Sequence, residues 1–114
     1  MDTRFRTVKT KPSDGFTAFP GMRILPLEDG QTSQGFSLVR ALLQGSHPRV
    51  TNRRSSKTYY IISGSCSFAT GEHVEICEPG DCATVGPGVE LEIAGNDCYM
   101  LIIVSPPYDP ADEI

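Results

Sequence analysis

Glycine and proline cut the stretch 57–104 into short apolar runs, and this punctuation restricts the chain more than any other feature. The runs are 59–63, 66–70, 74–77, 82–85, 89–94 and 98–104, separated by Gly64-Ser65, Gly71-Glu72, Pro79-Gly80-Asp81, Gly86-Pro87-Gly88 and Gly95-Asn96-Asp97. Short runs at such even spacing predict an all-β fold, a barrel or a sandwich. In Val89-Glu90-Leu91-Glu92-Ile93 the apolar residues fall on one face and the glutamates on the other, so one face is buried and one is wet.

The rest of the chain extends the pattern. Its 114 residues fit one domain. Residues 1–15 carry mixed charge and little apolar content and read as a loosely held N-terminal arm, 16–107 as the β-barrel domain, and 108–114 as an acidic, proline-broken tail. Within the domain, 16–19 and 22–27 read as two edge strands around Pro20-Gly21, 28–35 as a polar loop, and 36–43 as a strand bounded by Gln44-Gly45. Edge strands rich in proline, with Tyr60 and Ile62 as apolar outward candidates, point to a homodimer. The polar segment 46–57 leads into the barrel strands and is the expected source of the cavity's polar chemistry.

Charge is divided along the chain. All ten Lys and Arg lie at or before Lys57, whereas 58–114 holds ten of the fourteen Asp and Glu. A net charge of -4 gives no support for a nucleic-acid partner. Interleaved strands would bring the opposite charges together on the surface; the functional reading is that Arg49, Arg53, Arg54 and Lys57 face a cavity and receive an anion. No apolar run reaches the length of a membrane span and the first residues lack a secretory signal, so the expectation is a soluble cytoplasmic protein without a membrane partner. Cys66, Cys77, Cys82 and Cys98 sit within or at the ends of apolar runs and read as buried thiols, not as disulfides or a zinc site.

From Lys57 to Gly95 the glycine framework resembles the cupin superfamily, the small jelly-roll barrels. The first cupin motif, G-x5-H-x-H, three or four residues, then E-x6-G, closes on Gly64; this puts Lys57 at the glutamate position and Thr51 and Arg53 at the histidine positions. The second, G-x5-P-x-G-x2-H-x3-N, starts on Gly80, matches Gly86-Pro87-Gly88, and puts Leu91 at the histidine position and Gly95 at the asparagine. The resemblance implies a cupin-type jelly-roll β-barrel. It also implies that the usual metal site has lost its ligands: a hydroxyl, two cations and a hydrocarbon stand where imidazoles and a carboxylate would hold a divalent ion. The expectation is a metal-independent protein with no cofactor.

If Lys57 points inward like the residue it replaces, Tyr59 and Ile61 share its face, and Leu91 and Ile93 point in from another strand. Such a cavity suits a small ligand with an apolar body and a carboxylate or phosphate, held by Lys57, Arg53 and Thr51. Lys57, His47 and Tyr59 are the candidate catalytic groups: a base or anion binder, a general base and an acid. His73, in a hairpin turn, reads as exposed. Two functions follow: a metal-independent enzyme that isomerises, cyclises or eliminates water from a small anionic metabolite, or a non-catalytic accessory or sensor module. The 80–93 stretch, with leucine in place of the metal histidine, is similar to the ethanolamine-utilisation cupins.

Overall fold

The computed structural model describes residues 5–30 and 35–114; residues 1–4 of the expected arm and 31–34 of the polar loop lie outside the described residues. Among the described residues seven strands form one antiparallel sheet: β1 (Phe16–Phe19), β2 (Met22–Glu28), β3 (Ser37–Val50), β4 (Ser56–Thr70), β5 (His73–Cys77), β6 (Cys82–Val85) and β7 (Leu91–Ser105). Their order is β1-β2-β3-β7-β4-β5, and β6 pairs with the first half of β4 while β5 pairs with its second half. Short 3-10 turns at Pro12–Asp14 and Pro110–Asp112 flank the sheet.

Three of the expected breaks are not breaks. Gly64 sits inside β4, Gly95 inside β7 and Gly45 inside β3, so 59–63 and 66–70 are one strand, 91–94 and 98–104 another, and 36–43 continues to Val50. At Gly64 and Gly95 the reason is close approach, and at Gly45 a left-handed backbone at φ 91. Gly95 pairs with Gly45 on one side and Cys66 on the other, and a Cβ on Gly95 would stand 2.4 Å from the Leu43 carbonyl oxygen. Gly64, at φ 73, would put a Cβ 2.1 Å from the Asp97 carbonyl oxygen. The register shifts at the same level in β3 and β4, so the long strands bulge and bend together. Each strand then contributes to two facing walls.

One wall is made by the first halves of β3 and β4 and the second half of β7, with Ser37, Val104 and Lys57 in one row and Val39, Ile102 and Tyr59 in the next. The other is made by their complementary halves, with His47, Ile93 and Phe68 in a row. Leu43, Ile61, Met100, Cys66 and Cys98 are fully buried at the bend, and Tyr59, Phe68, Leu91 and Ile93 extend the core from it. Tyr60 and Ile62 face outward, as strand parity requires. Cys66, Cys77 and Cys98 are buried free thiols, but Cys82, opposite outward-facing Tyr60, is exposed. Burial, with the neighbouring Cys98 adding to it, pushes the Cys66 thiol up to about 12, so it is an inert part of the core.

Gly95→Ala should destabilise the fold by about 3 kcal/mol, because the obstructing atom is backbone and the strands must separate to admit the methyl group. Chemical denaturation checks this; a loss below about 0.5 kcal/mol would show that the strands do not meet so closely.

Candidate functional site

Between the two walls lies a cavity of about 650 Å³, lined on one side by residues of β1 and β2 and bordered by Tyr108, Glu113 and Ile114. Lys57, Tyr59, His47 and Ile93 line it. Ile61 is buried in the core, one inward position beyond Tyr59, and Leu91 lines a second, more open cavity of about 570 Å³ beside β5 and β6, which shares Tyr59. Thr51 and Arg53 line neither cavity. Their backbone is turned toward the C-terminal segment: the Ile114 N–H donates to the Thr51 carbonyl at 2.9 Å, and the Arg53 N–H to the Asp112 carbonyl at 2.9 Å.

Lys57, Tyr59 and His47 differ in how they are held. Lys57 is 8% exposed, and its Nζ lies 3.5 Å from Glu113 Oε1. Tyr59 is 3% exposed, with its ring 5.1 Å from that of Phe68 on the opposite wall. Burial, then the nearby Cys66 and Glu113, raises the Tyr59 phenol far above its ordinary value, so it stays protonated and keeps a hydroxyl that can donate a hydrogen bond. The His47 ring meets Phe19 edge-on at 4.6 Å, and its Nδ1 lies 2.5 Å from the Pro48 carbonyl oxygen. A carbonyl can only accept, so Nδ1 donates there and Nε2 of the neutral ring is left as the acceptor.

The basic run is not an open anion site. Arg49 lines the cavity but is paired with Glu92, and with Glu90 at 3.4 Å. Arg54 reaches Asp112 at 3.5 Å and Asp109 at 3.7 Å. The opposite charges of the two halves meet here as strand interleaving requires. His73 lines the second cavity, where it is exposed beside Glu75 at 3.0 Å.

The groups that sequence reasoning missed come from the tail. Asp112 is buried and accepts from the N–H groups of Arg54 at 2.8 Å and Ser55 at 3.1 Å and from Asn52 Nδ2 at 3.2 Å. Burial alone would raise this carboxyl, but the hydrogen bonds, that of the Ser55 N–H foremost, outweigh it and hold it at about 2. Glu113 bridges to Asn52 in the strand sense and turns its carboxylate to Lys57. The only signal for this in the sequence is the acidic tail set against a basic segment some fifty residues earlier.

Thr51, Arg53, Lys57 and Leu91 do not fit a divalent ion: two are cations, one is hydrocarbon, and they do not converge. Among the described residues no group of three or more His, Cys, Asp or Glu is placed to hold a metal. No helix among them is long and apolar enough to cross a membrane.

Facing walls of bent antiparallel strands around an internal cavity define the cupin-type β-barrel, and solved structures of that fold match the chain. No protein-family model and no curated protein matches it. Pac13 of Streptomyces, a nucleoside dehydratase solved with uridine, is 24% identical, with 96% of this chain and 90% of that one covered at a TM-score of 0.81. KdgF from Halomonas sp. is 15% identical over 86% of this chain and 92% of that one, with a TM-score of 0.76. EutQ of Clostridium difficile is 14% identical over 88% and 75%, with a TM-score of 0.67. These likenesses establish the fold.

Asp112→Asn should lower the denaturation midpoint at neutral pH. The Asp112 pKa is depressed on folding, so its contribution is complete above the ordinary carboxylate range near ~4 and is lost as pH falls through about 2. Thermal melts of the two proteins should therefore differ at pH 6 and converge toward pH 2; a constant difference would contradict the assignment.

Proposed function

We propose that this chain is a metal-independent cupin that takes a small metabolite into the cavity between its walls and catalyses a proton-transfer reaction on it, elimination of water being the leading candidate. The observation that supports this is the convergence of His47, Tyr59 and the Lys57–Glu113 pair on one apolar-walled cavity. Nε2 of His47 serves as the base, the protonated Tyr59 phenol as the acid, and Lys57 with Glu113 as the polar pair that orients the substrate. An elimination needs a base to take a proton from carbon and an acid to deliver one to the departing hydroxyl. His47 and Tyr59 would supply these two groups.

A nucleoside is the first substrate class to test, because Pac13, of the same fold, is a nucleoside dehydratase solved with uridine, in forms that include a histidine and two tyrosine substitutions. A cavity of about 650 Å³ has room for a ligand of that size. The carboxylate or phosphate expected at Lys57 would have to compete there with Glu113.

Calorimetric titration with uridine should give saturable binding. Incubation with a panel of nucleosides and their oxidised derivatives should give a product one water lighter by mass spectrometry. His47→Gln should slow that reaction by roughly 10²–10⁴-fold, and Tyr59→Phe should slow it while leaving uridine bound. Absence of both binding and product would sink the nucleoside reading. The homodimer belongs to the same proposal: outward-facing Leu42, Tyr60 and Ile62 are exposed on the sheet, and light scattering should give twice the chain mass of 12.4 kDa. A monomer at micromolar concentration would refute it.

A further inference from the structure

Glu113 is not a barrel residue. The C-terminal segment carries it into the cavity, and that segment is fixed where it crosses the 51–55 loop: Asp112 is clamped by the Arg54 and Ser55 N–H groups, and the N–H of Ile114 is bonded to Thr51. Its partner Lys57 stands on β4, inside the wall. Glu28 and Arg49, which also line the cavity, are paired with Arg6 and with Glu90 and Glu92; a lysine at the Lys57 position would attract a carboxylate or phosphate that entered, and the chain places a carboxylate of its own beside it instead.

We propose that Glu113 is a specificity-determining residue: by neutralising Lys57 inside the cavity, it makes the barrel select uncharged, hydroxyl-bearing ligands over their phosphorylated or carboxylated counterparts. This rests on the reading of the cavity as the substrate site. An anion reaching Lys57 must either sit beside the Glu113 carboxylate, like charge against like charge in a partly buried place, or push it aside. Displacement is resisted because the backbone on both sides of Glu113 is bonded to the loop. A hydroxyl meets no such obstacle. The Lys57 to Glu113 separation of 3.5 Å is longer than a tight charge-assisted hydrogen bond, so a ligand hydroxyl can accept from the ammonium and donate to the carboxylate together.

The test uses a matched pair, uridine and uridine 5′-monophosphate, with inorganic phosphate as a probe that does not depend on the nucleoside. The unmodified protein should bind uridine at least about tenfold more tightly than the monophosphate and show no saturable phosphate binding. Glu113→Gln should shift the preference toward the monophosphate by about tenfold or more and should bind phosphate, with the Lys57 side-chain NMR signals moving on titration. Adding Lys57→Met to that variant should abolish the gained anion binding, and Glu113→Asp, which keeps the charge, should keep the discrimination. Equal affinity of the unmodified protein for both nucleoside forms, or an unchanged phosphate response in Glu113→Gln, overturns the inference. So does loss of discrimination in Glu113→Asp as well as in Glu113→Gln, which would mark a structural role. If the unmodified protein binds neither nucleoside form, the nucleoside reading falls, and the phosphate comparison between the unmodified protein and Glu113→Gln still decides the charge selection.

Discussion

Everything in this barrel depends on the close contact of three strands at Gly64 and Gly95. Without side chains at those points the backbones of β3, β4 and β7 come near enough to bulge in concert, and each strand serves two walls in turn. The two halves of one strand are thereby turned to face each other across the interior. That geometry places His47, from the late part of β3, within the same cavity as Lys57 and Tyr59, from the early part of β4. A flat sheet with the same register would keep these side chains in a single layer with no enclosed space.

The second constraint is electrostatic and joins the two ends of the sequence's charge gradient. A buried carboxylate is costly unless its oxygens are occupied, and Asp112 has donors from Asn52, Arg54 and Ser55. This anchor converts a short terminal segment into a fixed part of the cavity mouth. Glu113 then arrives beside Lys57 as a consequence of backbone geometry, and a cation that would otherwise draw anions becomes half of a dipolar pair. Stability and the proposed selectivity therefore share one structural device: the residue that locks the tail also positions the residue that pairs with Lys57.

Much of this was legible in the residues, and the rest was hidden for definite reasons. The parity of Leu91 and Ile93 and of Lys57, Tyr59 and Ile61 follows from the two-residue period of a strand, and these residues are buried as read, whereas Val89 precedes β7 and is exposed. The glycines were ambiguous, because the same residue ends a strand or lets two strands touch; at Gly71 and Gly80 it lies in turns, and at Gly64 and Gly95 it permits contact. Motif register assigned Thr51 and Arg53 to the cavity, but the loop that carries them is drawn toward the tail by backbone hydrogen bonds that no local pattern announces. Cys82 shows the same limit: an apolar run fixes that a residue is in a strand, while exposure depends on what covers that face. The pairing of Lys57 with Glu113 spans fifty-six positions and is visible only once the fold has closed.

The most direct measurement is a crystal structure of the protein grown with uridine. The account predicts ligand density between the walls, with a ligand hydroxyl between Lys57 and Glu113 and the reacting end within reach of His47 and Tyr59. Density confined to the second cavity, beside Cys82 and Val89, or a ligand excluded by side chains filling the first, would contradict it.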